Sequence, residues 1–206
     1  MDIKHEVVDG MAYSYINGVK GTLRQSDVQL IQQYAARIPR NGIYTETGSY
    51  MGASSILAGL VTKHGVRVYA HDVWVEDMDQ LAVDGAPPPK TDNYFFKFYK
   101  NVIDNQLTQT VIPIRGPSQW TLGIHEDKSI DLAFIDGDHS YDGVKGDLEA
   151  IWDKMKPEST ILLHDCSQGS KTLQGVVDFC NTHKLDLSGF SQTDMVMIQV
   201  PGILDK

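Results

Sequence analysis

Short runs of consecutive apolar residues alternate along this chain with stretches in which apolar positions recur every three or four residues. The second pattern predicts helices. Ser26 stands where it can cap a helix through about Arg37, with Val28, Ile31, Tyr34 and Ala35 on one face. Further helices are expected over 52–63, 94–105, 141–155 and 173–183, and strands over 43–47, 66–72, 110–115, 130–136, 160–165, 185–190 and 195–200. The runs AFID and TILLHD are apolar at successive positions, as a parallel strand buried on both faces requires. The alternation therefore predicts an α/β fold, a parallel sheet with helices on both sides. Ligands of such sheets bind outside the carboxyl ends of the strands, so the chemistry is expected where strands end.

One segment breaks the alternation. Residues 76–92 carry five Asp/Glu, few apolar residues and the string Gly85-Ala86-Pro87-Pro88-Pro89. Proline locks φ and removes an amide donor, so this reads as an insertion loop and a candidate substrate lid. Residues 1–25 read as an N-terminal extension, whose Tyr13, Tyr15 and Ile16 could cover the site or meet a second subunit, and 26–206 as one domain.

Composition narrows the function classes. A 206-residue chain with 41% hydrophobic and 22% charged residues has enough core to fold without disulfides. Its net charge of −9 argues against nucleic acid or an anionic membrane as the main partner. Two cysteines, Cys166 and Cys180, suit a reducing compartment, and the start MDIKHEVVDG lacks a signal-peptide apolar run. A cytoplasmic location is expected, with a small molecule as partner and a homo-oligomer left open.

The strand ends carry the candidate chemistry. The first gives IYTETGSYMGASS, with Gly48 and Gly52 at the strand-to-helix turn and Glu46 where a dinucleotide fingerprint would have its first glycine. An acid there would repel a pyrophosphate and attract an ammonium or sulfonium group, although a glycine-rich connection alone would look the same. The second strand ends with Asp72, placed to accept bonds from both hydroxyls of a ribose or to cap its own turn, and Trp74 follows as an adenine platform or a loop anchor. Asp136, Asp138 and His139 end the fourth strand; His164, Asp165 and Cys166 end the fifth. Carboxylates with an imidazole could hold a divalent ion, and a histidine can take a proton near neutral pH.

On these motifs the sequence resembles the class I S-adenosylmethionine (SAM)-dependent methyltransferases. More narrowly it is similar to the family-24 group related to metal-dependent sugar O-methyltransferases. The resemblance spans about 43–165 and rests on Glu46-Thr47-Gly48-Ser49-Tyr50-Met51-Gly52, on Asp72 and on Phe134-Ile135-Asp136-Gly137-Asp138-His139-Ser140-Tyr141. It implies a Rossmann-like methyltransferase fold with a mostly parallel seven-stranded sheet. It also implies that Glu46, Gly48, Ser49, Tyr50, Gly52 and Ser54 surround the methionine end of SAM. Asp72 with Val73 and Trp74 would hold the nucleoside, Ser118 would border adenine, and Asp136 would close the cofactor site. His139 with Asp136 would be catalytic, and Asp136, His164 and Asp165 would be the metal positions. Here His164 replaces a carboxylate, which weakens Mg²⁺ and favours Mn²⁺ or a softer ion, or leaves the site without metal.

The leading expectation is O-methylation of a small hydroxylated acceptor, such as a sugar or natural-product intermediate. A nicotinamide-dependent oxidoreductase and a non-catalytic cofactor-binding domain are the alternatives. Glu46 and the four-residue glycine step disfavour the first, and the acids kept beside His139 disfavour the second.

Overall fold

The computed structural model describes residues 1–74, 94–190 and 193–202. The 76–92 segment read as a lid lies outside the described residues. Seven strands form the central sheet: β4 (Ile43–Thr47), β5 (Arg67–Asp72), β6 (Val111–Arg115), β7 (Ile130–Ile135), β8 (Met155–Leu163), β9 (Leu187–Gly189) and β10 (Val196–Gln199). Their spatial order is β6-β5-β4-β7-β8-β10-β9, parallel except that β10 runs antiparallel to both its neighbours. The chain starts the sheet at β4, winds outward to β6 and returns to β7. The switch point thus falls between β4 and β7, where a ligand crevice is expected.

Side-chain alternation along the strands divides the core in two. Leu132, Phe134 and Leu162 point to one face, where α1 (Gln25–Ala35), α2 (Ala53–Val61) and α3 (Tyr94–Asp104) bury Val28, Ile31, Ile56, Leu57, Phe98 and Val102. Ala133, Ile135, Ile161 and Leu163 point to the other, beneath α5 (Tyr141–Trp152) and α6 (Lys171–His183) with Leu148, Ile151, Val176 and Phe179. A single turn, α4 (Ser118–Thr121), follows β6.

Two elements depart from the sequence reading. Helix α5 ends at Trp152, and β8 begins at Met155, well before the expected residue 160. Apolar periodicity ran past the helix end, but Pro157 cannot donate to a ladder and Glu158 sits at φ +63. The pairing accordingly jumps from Ile130↔Met155 to Leu132↔Thr160, a bulge in β8.

The other departure is the N-terminal extension, which folds as an antiparallel meander of β1 (Ile3–Val8), β2 (Met11–Ile16) and β3 (Val19–Gly21). Asp9-Gly10 and Asn17-Gly18 form its turns, all four residues at positive φ. Those dipeptides are the preferred two-residue hairpin turns, so the signal was present in the sequence. The meander is seated on the domain: Ile16 is fully buried, and a Cβ at Gly21 would lie 2.6 Å from that of Ala53 in α2.

Candidate active site

The turn after β4 is shaped by its glycines. Gly48 (φ +83) and Gly52 (φ +91) adopt left-handed backbone, and Gly52 donates its N–H to the Ser49 carbonyl at 2.7 Å before opening α2. Ser49 Oγ is buried there, near the Glu46 carboxylate. Tyr50 is exposed on the lip of the turn, its ring 4.8 Å from that of Tyr94.

Glu46 lies beneath the turn. Strand alternation turns it under α2, where it is 1% exposed and accepts from the hydroxyls of Tyr44 (2.9 Å), Ser54 (3.2 Å) and Ser55. Burial pushes its carboxyl above the usual range, and the surrounding hydroxyls work against that rise. Glu46 and Ser54 meet beneath the turn, where Ser54 Oγ donates to Glu46 Oε1.

Asp72 joins the β4 and β5 ends. Its carboxylate accepts the backbone N–H of Tyr50 at 2.7 Å and of Trp74 at 2.6 Å, between the Gly48 turn and Val73. Trp74 is 4% exposed, with its indole N–H on the Tyr50 carbonyl and its ring against Phe95 and Phe98. These contacts anchor the loop after β5. Ser118 donates to Asp147 Oδ1 of α5 at 2.6 Å. His71, without a role in the sequence, is fully buried between Thr121 Oγ1 (2.9 Å) and His125 Nε2 (3.2 Å). Burial lowers His71 to about 3 and His125 to about 4, so both are neutral structural rings.

The ends of β7 and β8 bring four predicted residues together. His164 Nδ1 lies 3.1 Å from Asp136 Oδ1 and 3.4 Å from Asp165 Oδ2, and His139 Nε2 lies 3.2 Å from Asp165 Oδ2 and 3.7 Å from Asp136 Oδ1. In extended backbone His164 and Asp165 would point to opposite faces; Asp165 at φ +54 brings its carboxylate back beside the ring. His139 is held by its neighbours. Asp138 Oδ1 accepts the Ser140 N–H, Ser140 caps α5 through the Gly143 N–H, and Thr172 Oγ1 donates to the His139 carbonyl. Asp136, with Asp165, lifts the His139 pKa above its usual value against the opposing effect of burial.

His164 is 7% exposed, and its pKa is raised because Asp136, Asp165 and Asp27 outweigh the cost of burying its charge. Among the described residues its Nδ1 nevertheless has no partner of hydrogen-bonding geometry, and ligand atoms of Asp136, His164 and Asp165 all lie within 4.8 Å of one another. An imidazole nitrogen and two carboxylates so placed fit a divalent cation. Cys166, next along, is buried, which pushes its thiol up to about 12 and removes it as a nucleophile.

Residues 45–166, more than half the chain, match the family-24 methyltransferases, whose signature is a methyltransferase domain. The chain belongs to this family. It is a SAM-dependent methyltransferase, which replaces the nicotinamide reading. Solved structures share the fold. The O-methyltransferase NovP is similar with a TM-score of 0.69 at 16% identity, over 88% of this chain and 82% of its own. TomG from Streptomyces achromogenes, an O-methyltransferase involved in tomaymycin synthesis and solved with SAM, gives 0.63 at 13% over 87% and 82%. An O-methyltransferase from Bacillus cereus in complex with SAH gives 0.61 at 13% over 86% and 82%. No curated protein matches the chain in sequence. Among the described residues, no helix of the methyltransferase is long and apolar enough to cross a membrane.

Three side chains near the site were missed by the sequence reading: Asp27, Asp147 and Arg24. Asp27 lies in the first turn of α1, its carboxylate 3.2 Å from His164 Nε2. Arg24, its neighbour, has NH1 2.9 Å from Asp194 Oδ1 and lines a cavity of about 720 Å³. That cavity lies between α1 and the meander, with His5, Glu6, Tyr13, Gln25 and Gln29 in its walls. No local pattern marks their place at the site, because His164 beside Asp27, Asp194 beside Arg24 and Ser118 beside Asp147 come from distant parts of the chain.

Proposed function

We propose that this methyltransferase transfers the SAM methyl group to a hydroxyl of a small, polar acceptor, a sugar or hydroxylated natural-product intermediate. The observation that carries the reading is the convergence of His139 on Asp136 and Asp165 at the β7 and β8 ends, one strand from the Gly48 turn. When bound, SAM supplies a methyl group on a sulfonium, an electrophile that needs no further activation.

The residues of the chain then have to hold and deprotonate the acceptor. His139 Nε2 takes the hydroxyl proton as the oxygen–methyl bond forms and the sulfur–methyl bond breaks, leaving neutral S-adenosylhomocysteine (SAH). Asp136 and Asp165 orient the imidazole and stabilise the imidazolium formed. The Ser49 hydroxyl and the turn amides hold the methionine end of SAM, and Asp72 exchanges a backbone partner for the ribose hydroxyls. Asp136, His164 and Asp165 would hold a divalent ion, Mn²⁺ or Mg²⁺, whose contribution is to lower the pKa of a nearby hydroxyl. The cavity beside Arg24 is the proposed entry for the acceptor, its walls rich in hydrogen-bonding groups. Arg24 connects it electrostatically to Asp165, whose carboxyl is held low chiefly by His164 and also by His139 and Arg24.

Incubation of the purified protein with methyl-labelled SAM and a panel of sugars, phenols and amines tests this. Label in a hydroxylated product, with stoichiometric SAH, is expected. Transfer only to nitrogen or carbon acceptors would overturn the O-methyltransferase reading.

A further inference from the structure

Asp27 is fully buried, although its carboxylate is the kind of group a folded chain normally leaves in water. It sits in the first turn of α1, outside the segment matched to the family, and 137 residues before His164. Three donors converge on it: the Arg24 backbone N–H at 2.7 Å, Thr193 Oγ1, and His164 Nε2 at 3.2 Å. A helix cap needs only the first of these. The other two fix the carboxylate against the ring of His164.

The consequence is directional. A histidine ring has two nitrogens, and a hydrogen bond at one decides what the other presents. With Nε2–H committed to Asp27, Nδ1 is the atom turned toward Asp136 and Asp165, and it is the buried nitrogen that lacks a hydrogen-bond partner. Phe134 closes the ring's side with its edge, 6.1 Å between centroids, so rotation away from this pose is restricted.

We infer that Asp27 is a positioning residue for the cation site, a buried carboxylate that sets the tautomer and aim of His164 so that Nδ1 completes the set with Asp136 and Asp165. The inference rests on the proposed metal reading of those residues. It explains how a histidine can stand where an oxygen ligand is otherwise expected. The chain supplies the ring with its own carboxylate from α1, and such outer partners typically contribute about 10- to 100-fold in metal affinity.

Calorimetric titration of the full-length protein with Mn²⁺, in parallel with SAH, tests the role. Asp27→Asn is expected to weaken Mn²⁺ binding about 10- to 100-fold while leaving SAH affinity within about twofold. Equal Mn²⁺ affinity in wild type and a folded Asp27→Asn, with only a lower melting temperature, would reduce Asp27 to a helix cap and overturn the inference alone. Wild-type protein that binds SAH but takes up no Mn²⁺ would overturn both the metal reading and this inference. Should the variant not fold, nitrogen-15 spectra of wild-type protein with diamagnetic Zn²⁺ decide the matter. A His164 proton on Nε2 and a metal-shifted Nδ1 are expected; the reverse assignment refutes the role.

Discussion

The backbone carbonyl of Asp136 occupies the place a side chain on residue 48 would need: a Cβ built on Gly48 would come within 1.9 Å of that oxygen. The Gly48 turn and the end of β7 are thus pressed together at one glycine, which also holds φ +83. Gly48→Ala combines left-handed strain with a backbone clash, and neither can relax by moving a flexible side chain. A loss of at least about 2 kcal/mol is expected, roughly 4–8 °C in melting temperature, together with loss of SAH binding. Thermal unfolding with and without SAH measures both, and an alanine variant with unchanged melting would refute the clash.

Asp72 holds the N–H groups of Tyr50 and Trp74 in place. Asp72→Ala removes a charged acceptor from both turns and from the proposed ribose contact. Charge-assisted hydrogen bonds are worth about 1.5–3 kcal/mol, so SAH affinity should fall about 10- to 100-fold. Calorimetry reads this directly; a variant that binds SAH as tightly as wild type would exclude Asp72 from the nucleoside site.

His139 is half-exposed, and its ring meets Asp136 and Asp165. His139→Ala is expected to lower kcat by about 10²- to 10⁴-fold with SAH affinity unchanged. Steady-state kinetics beside a binding isotherm separate the two effects. Retained turnover would transfer the base to another group.

Chelation addresses the cation. Turnover should fall to background in protein stripped by EDTA and return with Mn²⁺ more fully than with Mg²⁺, since the imidazole nitrogen of His164 favours the softer ion. Full activity after exhaustive chelation would remove the metal from the reaction and leave His139 acting with its two carboxylates.

The buried pair His71 and His125 makes stability depend on acidity. Both folded-state values, about 3 and about 4, lie below the unfolded value near 6.5, so the unfolded chain binds more protons between them. The stability linked to the neutral rings is therefore full above about pH 6.5 and declines as pH falls toward 4, by a few kcal/mol. Urea midpoints at pH 7 and pH 4.5 should converge in His71→Gln relative to wild type. An identical pH slope in the two proteins would show that the ring does not carry the effect.

How much of this was legible beforehand differs by kind of feature. The β4–β7 strands were readable because their apolar runs are local, and the position of Gly48, Asp72, Asp136 and His139 at strand ends was legible with them. The meander carried clear hairpin turns at Asp9-Gly10 and Asn17-Gly18, and these were passed over as an extension. Periodicity alone could not stop α5 at Trp152, since an apolar helix face followed by an apolar strand gives a continuous signal. The burial of Glu46 was not legible, because its direction depends on pleat and on the hydroxyls of Tyr44, Ser54 and Ser55.

The amino-acid order by itself determined the alternation of strands and helices, the left-handed turn that only glycine adopts cheaply, and the gathering of acids and imidazoles at two neighbouring strand ends. Tertiary structure decided which of these groups face one another. It buried Glu46 under Tyr44, Ser54 and Ser55, folded Asp165 back beside His164, and brought Asp27 to the far nitrogen of that ring. The physical reason is that residue type and spacing act over a few neighbours. The aim of a side chain is set by strand pleat, backbone φ and packing partners that can be more than a hundred residues away.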